Sequence, residues 1–318
     1  MANKKKSFSV LATCVALVFV VMGMNNLWAC VKGGDRLPSE VNDAVPVVSS
    51  EERNAVYQAE DEAEKESERA MADMAEEPGT GLSQLPYENL EQPDELHNTS
   101  EFLLFKSQFI ISYNMEKHCP NYVCWALTPE RVKGKVQRSN NFHADPALGE
   151  GARVETFDYN GSGYDRGHMC PAGDNKNTPT AMDESFCMTN ICPQSHQLNT
   201  DAWNDLEVQC RSWARNYGTL YICCGPIFDS KVPKTIGRRK NMKIAVPDRF
   251  FKVVLSLGRV PKAMGFIYPN RDCGGDMRDY AVSVDRVEKV TGMDFFFQLD
   301  DKQETELEKE CNPAAWGI

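Results

Sequence analysis

A histidine lies in a short polar stretch whose neighbours suit chemistry on a phosphate group. His168 follows Arg166 and Gly167, and Pro171 and Gly173 continue the turn. Imidazole titrates near neutral pH and can accept a proton, and a guanidinium group holds phosphate oxygens in a fork. The stretch predicts acid/base chemistry on an anion, and an unperturbed imidazole predicts loss of activity below about pH 6. The alternative is a hydrogen-bonded structural histidine.

Oxygen ligands for a hard cation follow further along the chain. Asn199 stands at the start of an amphipathic helix, and Glu207 lies two turns into that helix. An amide oxygen can bind a cation directly and a carboxylate can hold a metal-bound water; Mg²⁺ accepts such a site because it keeps most of its water shell. The alternative is that Asn199 caps the helix and Glu207 is a solvated residue.

The helix that carries Glu207 has the clearest periodicity in the sequence. Between Thr200 and Tyr217 five large residues fall on one stripe at 100° per residue, so that face is expected to be buried, and Gly218 is expected to end the helix. The stripe consists of Trp203, Leu206, Cys210, Trp213 and Tyr217.

The elements around this helix are mainly short apolar runs separated by turns, which are typical of strands. Two further helices are predicted, over 284–290 and 302–311. Mixed strands with few helices indicate an α+β class. The predicted strands are Tyr122 to Leu127, Phe186 to Ile191, Thr219 to Cys224, Lys243 to Val246, Phe251 to Leu257 and Ala263 to Tyr268.

The motifs taken together resemble those of the DNA/RNA non-specific endonuclease family, whose active site is of the ββα-metal (His-Me finger) type. The resemblance covers about residues 99 to 300 and implies a central, mainly antiparallel sheet flanked by helices. The matching residues are Asp165-Arg166-Gly167-His168 with Pro171 and Asp174, Thr189-Asn190-Ile191 with Pro193-Gln194, Leu198-Asn199, Trp203 and Leu206-Glu207.

The resemblance assigns a role to each matching side chain. It makes His168 the general base, Asn199 the direct Mg²⁺ ligand, with Mn²⁺ as a substitute, and Glu207 the partner of metal-bound water. Arginines at the matching positions neutralise the phosphate, and two further residues support the site. The phosphate-binding residues are Arg166 and Arg138, and the supporting residues are Asn190 and Arg211.

These roles imply a Mg²⁺-dependent endonuclease that hydrolyses the phosphodiester bonds of DNA and RNA to products with 5′ phosphates. No motif residue reads a base edge, so little sequence selectivity is expected. Three alternatives remain: a sugar-selective nuclease, a phosphodiesterase with another substrate, and an inactive surface protein that only binds nucleic acid. The oligomeric state is open, with a homodimer among the alternatives.

The distribution of charge decides how a polyanion could bind. The chain of 318 residues has a net charge of −11, but residues 40–95 hold three Lys or Arg against seventeen Asp or Glu. The remainder is therefore nearly neutral overall, which leaves room for a local basic patch. The candidate is a run of six cations, with Arg238, Arg239 and Lys240 at its centre; the alternative is a solvated loop. The run is Lys231, Lys234, Arg238, Arg239, Lys240 and Lys243.

Cysteine usage favours an oxidising compartment. Twelve cysteines are many for a cytosolic protein, ten of them lie beyond residue 100, and no C-x-x-C spacing indicates a zinc site. Disulfides are the favoured interpretation, with buried thiols as the main alternative.

The amino terminus has the pattern of an export signal. Lys4, Lys5 and Lys6 precede an uncharged run from Ser7 to Val31, and Cys30 stands in a stretch that resembles a bacterial lipobox. We expect an exported, periplasmic or cell-surface protein that is tethered to the membrane as a lipoprotein; a cleaved soluble signal and an uncleaved anchor are alternatives. The predicted organisation is a signal or anchor over 1–30, an acidic flexible tether over 31–98 and the endonuclease domain over 99–318.

Overall fold

The structure is a computed structural model, and it describes residues 89–97 and 99–318. The predicted export signal, the lipidation site at Cys30 and most of the acidic tether lie outside these residues. Within them, no helix is long and apolar enough to cross a membrane. Leu90 is fully buried, and the Asp94 N–H donates to the Asp294 carbonyl at 2.9 Å, so the chain already packs against the domain before residue 99.

Seven strands form one sheet in which every neighbouring pair is antiparallel, in the order β1-β2-β3-β6-β9-β10-β11. This confirms the predicted antiparallel sheet of an α+β fold. The strands are β1 (Phe102–Phe105), β2 (Ile110–Asn114), β3 (Cys119–Leu127), β6 (Leu220–Ile227), β9 (Arg249–Ser256), β10 (Lys262–Pro269) and β11 (Ala281–Val282).

Two small two-stranded antiparallel sheets stand apart from this sheet. β4 (Asp165–His168) pairs with β5 (Ile191–Gln194), and β7 (Thr235–Ile236) pairs with β8 (Ile244–Ala245). The β4–β5 pair carries the catalytic candidate His168. A Cβ at Gly167 would lie 1.8 Å from the side-chain oxygen of Gln194 on the paired strand, so a larger residue there would displace this buried side chain.

Six α-helices accompany the strands in the described residues. They are α1 (Pro129–Val132), α2 (Pro179–Ser185), α3 (His196–Thr200), α4 (Ala202–Tyr217), α5 (Val284–Thr291) and α6 (Asp301–Glu308). The predicted long helix is α4, and four of the five residues of its apolar stripe are buried as expected, while Tyr217 is partly buried. Gly218 ends α4 at a φ of 87°, a backbone conformation that glycine adopts without strain. Asp201 precedes its first turn, so Asn199 is not its cap and lies instead in the short helix α3.

The central strands are buried on both faces, and side chains that alternate along them enter two different cores. Phe250 and Val254 of β9 pack in the core beneath α4, together with Trp203 and Trp213. Phe251 and Val253 of β9 pack in a second core that includes Val287 of α5. The sheet therefore separates the side that holds α4 from the side that holds α5 and α6.

The predicted strand over 186–191 is wrong. Residues Met188–Asn190 form a 3₁₀ turn, and only Ile191 belongs to a strand. Phe186 and Met188 pack in separate clusters instead of alternating across one sheet, so an apolar run was mistaken for a strand. The predicted strand over 243–246 shortens to β8, and the other predicted strands and both smaller helices are present with shifted ends.

The predicted disulfides are not present among the described residues. All ten cysteines in the described part of the chain are free thiols, and eight of them are buried. Cys124 and Cys223 lie opposite each other on β3 and β6, yet both pack as small apolar side chains. Burial raises the pKa of such thiols, for example that of Cys210 to about 12, which keeps them protonated and unreactive. The buried-thiol alternative describes this part of the chain.

Candidate active site

His168 lies in an aromatic cage at the end of β4. Its ring centroid is 5.2 Å from that of Phe142 and 5.0 Å from that of Phe186, and the Phe186 ring meets it edge-on. The residue is only 7% exposed, and its Nε2 has no hydrogen-bond partner within the described residues. A buried ring nitrogen without a protein partner is free to accept a proton from a bound water.

The cage sets the protonation state of His168. Burial lowers its pKa well below the usual value, and the nearby guanidinium groups of Arg138 and Arg166 lower it further. The imidazole is therefore neutral at neutral pH, as a general base requires. The expected loss of activity below about pH 6 assumed an unperturbed side chain, and the lowered pKa moves the protonation of His168 to lower pH.

Each wall of the cage carries one of the predicted phosphate-binding arginines. The Arg166 guanidinium lies 4.3 Å from the centroid of Phe142, and the Arg138 guanidinium lies 5.2 Å from that of Phe186. Arg138 also donates through Nε to the side-chain oxygen of Asn140 at 2.7 Å. Both residues are exposed, so the cations face solvent above the buried base, where a phosphate could reach them.

The predicted metal ligand Asn199 is oriented by a carboxylate of β4. Its Nδ2 donates to Asp165 Oδ2 at 3.1 Å, and the same oxygen lies 2.8 Å from His196 Nδ1. Because the amide bears its oxygen and its nitrogen on opposite branches, this bond turns the Asn199 oxygen away from Asp165. That oxygen is thus available to a cation, and Asp165 is a positioning residue.

Glu207 sits half-buried on α4 above a buried cation. Burial raises the pKa of Glu207 to about 7, and the charges of Lys252 and Arg211 oppose this rise. Lys252 is fully buried on β9, with its Nζ 4.5 Å from the Trp203 ring centroid and 5.5 Å from that of Trp125. The two indole rings accommodate the ammonium group, which then favours the ionised form of Glu207.

Arg211 joins α4 to the turn that follows His168. Its Nη1 donates to Asp174 Oδ1 at 3.2 Å, and the second oxygen of Asp174 accepts from Trp125 Nε1 at 3.0 Å. Asp174 is buried, so this pair fixes the turn between the histidine strand and the sheet. Arg211 therefore supports this turn, and its role in the active site stays a prediction.

Asn190 acts on the backbone next to His168 and makes no contact that would suit a substrate. Its Oδ1 accepts from the Cys170 N–H at 2.9 Å, and its Nδ2 donates to the carbonyls of Cys170 and Ser185, both at 2.8 Å. The side chain is completely buried. We therefore interpret Asn190 as a clamp on the chain that follows the base.

The basic run does not act as one surface. Arg239 binds Asp158 through Nη2 at 2.5 Å and donates to the Arg153 carbonyl at 2.8 Å, so it holds the loop to the domain. Its neighbours Arg238 and Lys240 are exposed. The structure therefore brings Arg138, Arg166, Asn190, Asn199, Glu207 and Arg211 around His168 or its supporting turns, and assigns Arg239 a different partner.

Comparison with known proteins decides the family. The model of the DNA/RNA non-specific endonuclease family matches residues 88–302 of this chain, about two thirds of its length. The chain belongs to the DNA/RNA non-specific endonuclease family. It is therefore a nuclease with the ββα-metal fold, an enzyme that hydrolyses phosphodiester bonds, and the family is metal-dependent.

Similar proteins span bacteria and mitochondria. A nuclease of Nostoc sp. is 33% identical over 223 residues, covering 66% of this chain and 79% of that protein. Endonuclease G of Bos taurus mitochondria is 31% identical over 204 residues, covering 60% of this chain and 67% of that protein. The crystal structure of an EndoG/EndoGI complex matches with a TM-score of 0.60 at 30% identity, covering 64% of this chain and 89% of that chain.

Four residues of this endonuclease site were not among those predicted from the sequence: Phe142, Phe186, Asp165 and Lys252. The two phenylalanines lie far from His168 in sequence, and nothing local distinguishes them from core residues. A lysine flanked by apolar residues in a predicted strand, as in Phe251-Lys252-Val253, is the signal that could have identified the buried cation. Asp165 belongs to the motif itself. Because its carboxylate accepts hydrogen bonds, it could have been predicted to bind the amide group of Asn199.

Proposed function

We propose that this endonuclease cleaves DNA and RNA without sequence preference, with Mg²⁺ as its cofactor and 5′-phosphate ends as its products. The observation that carries this proposal is that His168 is neutral and that its Nε2 has no hydrogen-bond partner among the described residues, in a cage whose walls carry Arg138 and Arg166. His168 lies in the aromatic cage, and the two arginines lie where they can hold a scissile phosphate beside it.

The residues present fit a hard cation. The Asp165 hydrogen bond to Nδ2 turns the Asn199 oxygen away from Asp165, and Glu207 supplies a carboxylate whose charge Lys252 favours. A bound Mg²⁺ supplies Lewis-acid stabilisation of charge that develops on the phosphate oxygens. Asn199 would hold the ion, Glu207 would hold one of its waters, and His168 Nε2 would take the proton of the attacking water.

Digestion of two substrates tests this proposal. The purified protein is incubated with supercoiled plasmid and with a single-stranded RNA, with Mg²⁺, with Mn²⁺ and with EDTA. We expect nicked and then linear plasmid, degraded RNA, and no cleavage in EDTA. The product ends become labelled by polynucleotide kinase only after phosphatase treatment if they carry 5′ phosphates. Cleavage of one substrate alone supports the sugar-selective alternative, and full cleavage in EDTA contradicts the metal mechanism.

The proposed location is outside the cytoplasm. It is supported by the lysines at positions 4–6 before the uncharged run over 7–31 and by Cys30 in a stretch similar to a lipobox. Mass spectrometry of the mature amino terminus tests it, because a diacylglycerol-modified Cys30 indicates a lipoprotein tether and an unmodified new terminus indicates a cleaved signal. The homodimer stays a prediction, which size-exclusion chromatography with light scattering tests.

A further inference from the structure

Three carboxylates converge on the side of the sheet opposite to α4. Asp285 and Glu288 lie on α5, and Glu308 is the last residue of α6. One carboxylate oxygen of each residue lies within 4.8 Å of the other two. None of these residues takes part in the endonuclease site, so their proximity needs a separate explanation.

Glu308 makes this cluster more than a group of surface acids. It is 5% exposed, it is the buried residue of α6, and its Oε1 has no hydrogen-bond partner among the residues that the structure describes. A buried carboxylate oxygen without a partner is costly. The arrangement therefore points to a group that would bind this oxygen.

The electrostatic surroundings of Glu308 show the sign of that group. The charged groups that act on Glu308 are all carboxylates: Glu288, Glu304, Asp294 and Asp285. Glu288 accepts a hydrogen bond from the Phe295 N–H at 2.9 Å. A positive ion between the three converging carboxylates would offset their mutual repulsion.

We propose that Asp285, Glu288 and Glu308 bind one Ca²⁺ ion in a structural site separate from the catalytic centre. Ca²⁺ binds carboxylate oxygens at about 2.3 to 2.6 Å, so oxygens on opposite sides of the ion lie up to about 5 Å apart, which spans this cluster. Mg²⁺ binds at about 2.0 to 2.1 Å and demands octahedral geometry, so a spread of carboxylates suits it less. Water and backbone oxygens would complete the coordination.

Such an ion would fasten the carboxyl-terminal segment to the domain. α6 leads to the turn Pro313–Trp316, where the Trp316 ring lies 4.7 Å from that of Trp213 and the Trp316 carbonyl accepts from Trp213 Nε1 at 2.7 Å. The family match ends at residue 302, so Glu308 lies beyond it. The site is therefore a feature of this chain that the family assignment does not supply.

Thermal unfolding of the full chain tests the proposal in a background without the catalytic metal ligand. Wild type and Asn199→Ala are freed of metal, and their Tm values are measured at pH 8 with and without Ca²⁺. When free Ca²⁺ exceeds the Kd about a hundredfold, we expect Tm to rise by about 5 °C or more in both proteins. Glu308→Gln is expected to remove this rise, and Glu306→Gln, an exposed acid on the same helix, is expected to retain it.

Asp285→Asn provides a second variant that does not disturb a buried side chain, since Asp285 is exposed. We expect it to weaken the apparent Ca²⁺ affinity at least about tenfold in a calorimetric titration of the Asn199→Ala background. Each of the following results overturns the proposal: no Ca²⁺-dependent rise in Asn199→Ala, a full rise in Glu308→Gln, unchanged affinity in Asp285→Asn, or an equal rise with Mg²⁺. An unfolding temperature that responds to pH but not to Ca²⁺ would show that the carboxylates share a proton instead.

Discussion

The environment of each ionisable group in the site decides which of them titrates near neutral pH. His168 is buried between two phenylalanines and beside two arginines, all of which disfavour its charged form. Glu207 is buried enough to disfavour its own charge, and its pKa rises to about 7. The carboxylate, and not the imidazole, is therefore the group whose proton is expected to control activity.

The pH profile provides the first test at this scale. Glu207 loses its charge as pH falls through about 7, so we expect kcat/KM to decline below that pH at low Mg²⁺. Because a nearby cation favours the carboxylate, higher Mg²⁺ is expected to move the midpoint to lower pH. The Glu207→Gln variant is expected to have a lower kcat/KM than the wild type and to show no such decline at low pH. A midpoint that ignores both Mg²⁺ and the substitution would contradict the assignment.

The metal ligands give a second residue-scale prediction. Asn199→Ala is expected to raise the Mg²⁺ concentration for half-maximal activity at least tenfold, and more than Glu207→Ala does, because it removes the direct ligand. Asn216→Ala, at an exposed asparagine near the end of α4 and away from the site, serves as the control and is expected to behave as the wild type. A larger effect of Glu207→Ala would reverse the two assigned roles.

At the scale of elements, the site consists of the β4–β5 strand pair and two helices, which polar side chains hold to the large sheet. β4 presents His168, α3 presents Asn199, and α4 presents Glu207. Asn190 makes three hydrogen bonds to the backbone around Cys170 and Ser185, so it fixes the chain that follows the base. The position of His168 thus depends on a residue that does not contact substrate.

Removal of this clamp is expected to affect stability and turnover together. Asn190→Ala leaves buried backbone groups without partners, which costs about 2 to 4 kcal/mol of the free energy of unfolding. We expect a lower midpoint in urea unfolding and a lower kcat, with KM changed little, under conditions where the variant stays folded. Asn216→Ala is again the control. Unchanged stability would show that the clamp is not needed to hold the turn.

Periodicity predicted the elements whose environment is uniform and failed where the environment changes along the chain. α4 was predicted because its stripe from Trp203 to Tyr217 packs on one surface. The run over 186–191 has similar composition, but its side chains enter different clusters around a 3₁₀ turn, so no repeat describes it. The cage around His168 was not predictable, because Phe142 and Phe186 reach it only through tertiary packing.

At the scale of the whole molecule, the charge of the basic run is divided between structure and surface. Arg239 is committed to the buried carboxylate of Asp158, whose pKa lies below its usual value chiefly through hydrogen bonds from Arg239 that outweigh the opposing effect of burial. Arg238 and Lys240 are exposed, and neither forms an ion pair with another described residue. Only part of the run is therefore available to a nucleic-acid backbone.

This division yields a prediction that separates binding from folding. Replacement of Arg238 and Lys240 by Ala is expected to raise KM for long DNA and to reduce the slope of log affinity against log salt by about two, with kcat nearly unchanged. Arg239→Ala is expected instead to lower Tm, because Asp158 loses its charged partner at a cost of about 2 kcal/mol. An unchanged salt slope in the double variant would place the substrate path elsewhere.

The central claim is that His168 is the general base of a metal-dependent endonuclease, and the kinetics of His168→Ala test it most directly. With saturating Mg²⁺ and plasmid DNA, we expect kcat to fall at least a hundredfold and the Kd for DNA to stay within about twofold, because the imidazole acts on water and does not hold substrate. His97→Ala, an exposed histidine outside the site, is expected to match the wild type. Turnover of His168→Ala close to that of the wild type would contradict the account.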